Sequence, residues 1–378
     1  MGCIVSICAF LPPSRHTIED LVKSAGAVDV YSEDKVAASG FAPGATSNFD
    51  TAVLGGETHF VPRRDGTVVR RRRGGHVAVF QLRTALQTTI AALWLPPTSR
   101  DQRRRTPTTT AAGVGAQHFV ILFCHGNAED LRHSCYHLKR LRSELGAALL
   151  AFEYSGYGAS VDDRGAPSER HAYADIDAAY AFATGTLGYP PARVVLYGRS
   201  LGTGPTVDLA ARLGDAGGPQ VGGIILQSPL TSAIATQLGP LARCLACIDL
   251  FRSATKADRI ACARLLVIHG TRDGVIPVRH GRALHRQFNA APQFRQRQHD
   301  DGRPRCDAFW ATGCGHNDID VLLAQPFYLA LKAFLDRCVA AANNEAEGGG
   351  GGGLGVAEGD EAQGRGEEEV SAQQLNQL

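Results

Sequence analysis

The sequence predicts an α/β protein with a mostly parallel central sheet and helices on both faces. Between residues 118 and 339, apolar segments of strand length alternate with segments whose apolar residues recur at helical spacing. The chain has 378 residues, of which 44% are hydrophobic, so it can bury a large core. We predict strands at 118–124, 148–154, 193–197, 222–227, 264–269 and 308–312. We predict the helices between and after them at 131–145, 168–187, 201–213, 278–288 and 321–339.

The region before residue 118 has weaker patterns. Residues 60–62 and 76–84 begin a strand region, and residues 89–95 predict a second strand of the same antiparallel edge. The arginine run at 70–73 is expected at the turn between them. The stretch at 96–117 is rich in Thr, Pro, Gly and Arg, which predicts a surface insertion between strands.

Changes in composition define the expected domain boundaries. The segment after the N-terminus is small, polar and dotted with glycine, which favours a flexible tether with one short helix near 18–23. A polar stretch at 292–307 predicts a second insertion. The C-terminal segment is rich in Gly, Glu and Gln and cannot bury a core, so we expect disorder. The boundaries are 1–14 for an anchor, 15–57 for the tether, 58–340 for the folded domain and 341–378 for the tail.

Charge argues against a nucleic-acid partner, and cysteine usage argues against a disulfide framework or a metal site. The chain has 39 Lys and Arg against 37 Asp and Glu, a net charge of +2, so we expect no nucleic-acid partner. Its 10 cysteines form no framework of short spacings, which favours reduced thiols. Cys244-x-x-Cys247 has no second pair, which favours one face of a short helix over a metal or redox site. We expect a monomer without a metal or an organic cofactor.

The N-terminus carries an acylation pattern. Residues 1–6 fit Met-Gly-x-x-x-Ser, which is typical of N-myristoylation at Gly2, and Cys3 and Cys8 are positioned for S-acylation. A single myristoyl chain binds membranes weakly, so a second chain on Cys3 would make the anchoring stable. No apolar run reaches the roughly 20 residues that span a bilayer. We therefore expect attachment to the cytoplasmic face of a membrane, in particular the plasma membrane. The alternatives are an unmodified tail and a signal peptide, and the latter is disfavoured because no Lys or Arg precedes the short apolar run.

A strand that breaks into Gly-x-Ser-x-Gly marks the candidate nucleophile. The aliphatic and aromatic residues at 194–197 lead into Gly-Arg-Ser-Leu-Gly at 198–202 and then into a helical pattern. A serine hydroxyl is a weak nucleophile unless a sharp strand-to-helix turn exposes it beside a base. We therefore assign Ser200 as the nucleophile of an α/β-hydrolase fold with a small lid at 228–260. A glycine turn that contains serine by chance is the alternative.

An acid and a histidine follow Ser200 in the chain order that this fold requires. Asp273 ends a turn after the strand at 264–269, and His316 lies in a glycine-containing turn after the strand at 308–312. We assign His316 as the base and later the acid, and Asp273 as the group that orients its imidazole. Other candidates lie in the lid segment, at a strand end or on a helix, where surface or packing roles are expected: Asp249, Asp258, His269, His280 and His285.

An oxyanion hole takes one backbone N–H from the residue after the nucleophile and one from a loop after an earlier strand. Leu201 supplies the first amide. Asn127 is the candidate for the second, because Gly126 lets the backbone turn so that the next amide faces the nucleophile. The alternative is that His125 and Gly126 form only a strand-ending turn.

Longer blocks of sequence carry a family resemblance. They are FCHGNA at 123–128, YSGYG at 154–158, PSE at 167–169, YADIDAA at 173–179, SPLTS at 228–232 and GHNDI at 315–319. Over residues 119–336 the chain resembles the α/β-hydrolase domain-containing protein 17 family, which are membrane-anchored serine hydrolases. The resemblance implies removal of palmitate from S-acylated membrane proteins, and it implies the same triad of Ser200, Asp273 and His316.

The chain also departs from that family's pattern. Arg199 stands before the nucleophile, where the family tends to have a neutral residue, and Gly2-Cys3 replaces an N-terminal cysteine cluster. The two insertions and the acidic tail are not family features, and they leave the substrate open. Lipid esters and peptides are alternative substrates for the same triad. A third alternative is a non-catalytic, membrane-tethered interaction protein that retains the fold.

Overall fold

The computed structural model of the chain describes residues 17–25, 30–32, 59–62, 68–71, 77–97, 119–160, 166–217, 220–238, 249–260, 262–291 and 306–348. The predicted acylation positions Gly2, Cys3 and Cys8 lie outside these residues, and so does the Cys-x-x-Cys at 244–247. No helix in the described ranges is both long and apolar enough to cross a membrane.

The described strands form one large sheet and one small one. The strands are β1 (Val30–Ser32), β2 (His59–Pro62), β3 (Val68–Arg71), β4 (Ala78–Arg83), β5 (Thr89–Leu95), β6 (Val120–Cys124), β7 (Ala148–Phe152), β8 (Val194–Arg199), β9 (Gly223–Gln227), β10 (Leu265–Gly270) and β11 (Cys306–Ala311). The large sheet has the order β1-β4-β5-β7-β6-β8-β9-β10-β11. Within this large sheet, antiparallel pairing is confined to β4 with β5 and β5 with β7, and the other neighbouring strands are parallel. The mostly parallel sheet predicted for an α/β-hydrolase fold is confirmed.

The central strands are apolar along their whole length because both faces of the sheet are covered. All five residues of β6 are buried, and so are all five of β7. Val120 and Leu122 pack into the core on one face, whereas Ile121 and Phe123 pack into the core on the other. Burial of one such side chain contributes about 1.5–3 kcal/mol. The sheet is therefore a rigid base for the loops at its carboxyl edge.

The helices cover the two faces of the sheet, and some of them begin at side-chain caps. They are α1 (Ile18–Ala25), α2 (Leu131–Leu145), α3 (Glu169–Ala181), α4 (Thr203–Asp215), α5 (Ala233–Leu238), α6 (Arg279–Ala290), α7 (Ile319–Leu322) and α8 (Ala324–Gly348). Asp130 caps α2 by accepting a hydrogen bond from the His133 amide at 2.6 Å, and Ser168 caps α3 from the His171 amide at 3.2 Å. Gly146 ends α2 with a φ of +63°, a left-handed conformation that favours glycine.

Parts of the predicted tether belong to the folded domain. Leu21 and Ala25 on α1 are buried in one of the two cores, and β1 pairs in parallel with β4. The prediction of a flexible tether was therefore wrong for these residues, whereas the short helix predicted within it is present. The prediction of a turn was wrong for Arg70 and Arg71, which lie in β3 and pair with β2. Segments this short show too few periods for a sequence pattern to reveal their tertiary partners.

Three further boundaries differ from the predictions. Cys306 and Asp307 belong to β11 rather than to an insertion, and α8 continues past residue 340 to Gly348. The chain divides into two compact units, 1–343 and 344–378.

The segment predicted as a lid, 228–260, contains α5. Phe251 from this segment donates its amide hydrogen to Glu169 at 2.7 Å.

Candidate active site

Ser200 lies at the sharp turn between β8 and α4. It begins a single 3-10 turn, Ser200–Gly202, and its φ is +52°, a strained value for a residue other than glycine. A Cβ atom at Gly202 would lie only 2.2 Å from the carbonyl oxygen of Cys124, so the close approach of this turn to the end of β6 requires glycine. The turn therefore has the geometry of a nucleophile elbow.

Asp273 and His316 reach Ser200 because their strands run parallel to β8. Asp273 follows the end of β10 and His316 follows the end of β11, so both loops lie at the carboxyl edge of the sheet. The Nε2 atom of His316 is 2.9 Å from Ser200 Oγ, and its Nδ1 atom is 2.7 Å from Asp273 Oδ2. The structure thus brings together Ser200, His316 and Asp273, the three side chains that the sequence predicted for the triad.

The environment of Asp273 decides which nitrogen of His316 carries the proton. Burial alone would raise the pKa of Asp273, but hydrogen bonds from His269 and His316 outweigh it and hold this pKa well below its usual value. Asp273 is therefore a carboxylate that only accepts hydrogen bonds. His316 donates from Nδ1, which leaves Nε2 free to accept the hydroxyl proton of Ser200.

Asp273 is itself held by neighbouring groups. Its Oδ1 atom accepts the backbone N–H groups of Val275 and Ile276 at 2.9 and 2.8 Å. His269 donates from Nε2 to the Ile276 carbonyl at 2.7 Å, and the same nitrogen is 3.3 Å from Asp273 Oδ2. The packing role expected for His269 therefore includes direct contact with the acid. Its position at the end of the strand that precedes Asp273 was the one sequence signal for this contact.

The loop that contains Asn127 is braced against the elbow. The carbonyl of His125 would lie 2.7 Å from a Cβ atom at Gly202. The hydroxyl of Tyr154 donates to this carbonyl at 2.8 Å, and the hydroxyl of Tyr157 donates to Asn127 Oδ1 at 2.7 Å. No sequence pattern predicted a role for the two tyrosines. The backbone amides of Asn127 and Leu201 remain the predicted oxyanion donors.

Two buried titratable groups, one after β6 and one after β7, add no formal charge near neutral pH. His125 Nε2 is 3.9 Å from Glu153 Oε2, and both side chains are inaccessible to solvent. Burial raises the pKa of Glu153 to about 8 and lowers the pKa of His125. Both groups are thus mainly uncharged at pH 7.

The other candidates from the sequence have contacts that suit structural roles. Asp249 accepts the amide hydrogen of Ile234 at 2.9 Å. His280 is 2.8 Å from the hydroxyl of Thr231, and His285 is 3.2 Å from the carbonyl of Cys306. Among the residues that the structure describes, no group of three or more His, Cys, Asp or Glu side chains is arranged to hold a metal ion.

Comparisons with known proteins show which sequences the chain is similar to. A family model described as "Serine aminopeptidase, S33" matches residues 115–249. Alpha/beta hydrolase domain-containing protein 17C of Mus musculus is 38% identical over 217 residues, which cover 57% of this chain and 59% of the relative. Alpha/beta hydrolase domain-containing protein aho-3 of Caenorhabditis elegans is 34% identical over 235 residues, which cover 62% and 63%. The chain thus spans about three-fifths of the length of these curated relatives.

Solved structures are less similar in sequence. An esterase of Pyrococcus furiosus aligns with a TM-score of 0.49 and 13% identity, over 70% of this chain and 91% of the esterase. The parallel sheet, the elbow at Ser200 and the curated relatives agree with the resemblance that the sequence motifs indicated. The chain has the α/β-hydrolase fold and resembles the α/β-hydrolase domain-containing protein 17 proteins.

Proposed function

We propose that the chain is a serine thioesterase that removes acyl groups from protein cysteines at the cytoplasmic face of a membrane. The observation that carries the proposal is the hydrogen-bonded series from Ser200 through His316 to Asp273. This series supplies a nucleophile, a base with an available nitrogen, and an acid that orients the base. The family resemblance supports the thioester as the substrate bond.

The first half of the reaction forms an acyl-enzyme. Ser200 Oγ attacks the thioester carbonyl while its proton passes to His316 Nε2. The amides of Leu201 and Asn127 hold the negative oxygen of the tetrahedral intermediate. When the intermediate collapses, the carbon–sulfur bond breaks, and the departing cysteine sulfur takes the proton from His316. The acyl group then remains on Ser200 as an ester.

The second half regenerates the enzyme. A water molecule transfers a proton to His316 Nε2 as its oxygen attacks the acyl ester. Collapse of this second intermediate breaks the bond to Ser200 Oγ, which recovers its proton from His316, and the fatty acid leaves. Asp273 remains ionised throughout and stabilises the imidazolium formed in each half.

Peptide hydrolysis is the second candidate function, because the matching family model is described as a serine aminopeptidase. The same triad can break an amide, but an amine is a poorer leaving group than a thiolate and needs full protonation as it departs. We therefore expect faster turnover of a thioester than of an amide.

The substrate test compares matched acyl compounds with the full-length chain. A peptide acylated on cysteine is expected to be hydrolysed with a kcat/KM about 100-fold or more above that for the same peptide acylated through an amide on lysine, because a thiolate leaves more readily than an amine. A monoacylglycerol and an unblocked dipeptide amide test the lipid and aminopeptidase alternatives. Preferential turnover of either alternative would exclude the thioesterase proposal.

Membrane attachment through Gly2 and Cys3 is part of the same proposal, on the strength of the acylation pattern. The change Gly2→Ala adds a methyl group beside the α-amine and so removes the glycine that the N-myristoylation pattern requires. It is therefore expected to move the protein from the membrane fraction to the soluble fraction of cells. The double change Cys3→Ser/Cys8→Ser is expected to leave weak, reversible binding from the myristoyl chain alone. Flotation of cell membranes measures both, and retention of Gly2→Ala on membranes would contradict a myristoyl-first route.

A further inference from the structure

Arg199 lies directly before the nucleophile, yet the proposed chemistry does not use its guanidinium group. Its Nη1 atom donates a hydrogen bond to Glu129 Oε1, and its Nη2 atom donates to Asn317 Oδ1 at 3.0 Å. Glu129 lies in the loop after β6, and Asn317 directly follows His316 after β11. We name these three side chains the Arg199 bridge. The bridge joins the carboxyl ends of three strands around Ser200.

The Glu129 end of the bridge reaches the loop of the predicted oxyanion donor. Glu129 Oε2 accepts the amide hydrogen of Gly126 at 3.0 Å. A Cβ atom at Gly126 would lie 2.8 Å from Glu129 Oε1, so the carboxylate packs directly on the backbone that precedes Asn127. A planar guanidinium with several fixed donors suits this arrangement, because it can hold two acceptors in a set relative position.

Each loop also has contacts of its own. The hydroxyl of Tyr157 donates to Asn127 on the oxyanion side, and Asp318 accepts the Gly315 amide hydrogen at 2.7 Å on the His316 side. These contacts brace each loop by itself, whereas Arg199 connects one loop to the other. Donors that are held in place before the reaction need no reorganisation as the oxyanion forms.

The charge of the bridge matters as well as its geometry. The Arg199 and Glu129 side chains are 16% and 22% exposed, so solvent screens this pair less than it screens a surface ion pair. Without Arg199, the Glu129 carboxylate would stand uncompensated beside the loop where negative charge develops in the transition state. Repulsion between like charges would then oppose formation of the oxyanion.

We propose that Arg199 is a positioning residue that sets the oxyanion loop against the His316 loop and neutralises Glu129 beside the developing oxyanion. The inference rests on the proposed serine-hydrolase function. It predicts an effect on the transition state rather than on substrate binding, so kcat should fall while KM changes little. It also predicts that the effects of changes at Arg199 and Glu129 depend on each other.

The test uses the full-length chain with Arg199→Ala, Arg199→Lys, Glu129→Gln and the double variant Arg199→Ala/Glu129→Gln. Arg337→Ala is the matched control, because Arg337 pairs with Asp307 in a bridge whose side chains are 24% and 26% exposed, at the start of β11. Each protein is measured for kcat and KM with a short p-nitrophenyl ester, for the rate of labelling by a fluorophosphonate, and for its thermal midpoint.

We expect Arg199→Ala to lower kcat about 10- to 100-fold, less than the loss of a whole oxyanion donor, with KM within about twofold. Arg199→Lys should keep part of the activity because it keeps the charge, and Glu129→Gln should restore activity about threefold or more in the Arg199→Ala background. The labelling rates should follow kcat. Arg337→Ala should shift the thermal midpoint without this kinetic pattern.

Three results would overturn the inference. They are an Arg199→Ala enzyme as active as Arg337→Ala, a loss carried by KM alone, and independent effects of the changes at Arg199 and Glu129. If the wild-type chain neither labels nor hydrolyses the ester, the serine-hydrolase proposal fails, and the role of the bridge fails with it. A wild-type chain that reacts normally alongside an unaffected Arg199→Ala variant overturns the bridge alone.

Discussion

Replacing Ser200 by alanine is expected to abolish covalent labelling by a fluorophosphonate and to lower kcat by about 10⁴- to 10⁶-fold. The change removes only the hydroxyl oxygen that lies 2.9 Å from His316 Nε2. Alanine keeps the Cβ atom at this strained turn, so the fold should be retained, with a change in unfolding free energy of about 1 kcal/mol or less. Residual catalysis should reflect the predicted oxyanion donors and substrate binding alone.

The matched control is Ser143→Ala on the exposed face of α2. It should label and turn over substrate as the wild type does, because its hydroxyl lies on a helix surface. Mass spectrometry of the adduct identifies the modified residue directly. An adduct that survives Ser200→Ala would exclude Ser200 as the nucleophile. Wild-type-like cellular function of Ser200→Ala would favour the alternative of a non-catalytic interaction protein.

Asp273→Asn is expected to lower kcat by about 10⁴-fold while substrate binding is largely kept. Two backbone amides, those of Val275 and Ile276, donate to Asp273 Oδ1, so the amide oxygen of asparagine will occupy that position. The amide nitrogen then takes the place of Oδ2, 2.7 Å from His316 Nδ1. Because that nitrogen donates, Nδ1 must accept, and the proton of the neutral imidazole moves to Nε2. His316 can then no longer accept the proton of Ser200.

Asp249→Asn is the control for this change, because Asp249 also accepts a backbone amide hydrogen with Oδ1 but has no hydrogen bond to a histidine of the described part of the chain. It should keep kcat within about twofold of the wild type. The kcat values of the Asp273→Asn and Asp249→Asn variants are compared at one fixed pH. Nitrogen NMR of labelled histidine reports which ring nitrogen of His316 carries the proton. Activity of Asp273→Asn within tenfold of the wild type would contradict the orienting role of Asp273.

The positions of Ser200, Asp273 and His316 could be predicted because each depends on a local feature of the chain. Each residue follows a short apolar strand, and parallel strands bring their carboxyl ends to the same edge of a sheet. The glycine spacing around Ser200 also reports a local requirement, the close approach of the turn to β6. Residues 18–25 show the limit of such patterns, because the short helix was predictable but its burial was not.

The sequence by itself therefore determined the α/β class, the order of the central strands and helices along the chain, and the candidate triad. Only the tertiary structure decided what supports that triad: His269 against Asp273, the two tyrosines that hold the Asn127 loop, and the Arg199 bridge. The physical reason is distance along the chain. Strand and helix periods arise from neighbouring residues, whereas Arg199, Glu129 and Asn317 meet only after the sheet has brought three separate strand ends together.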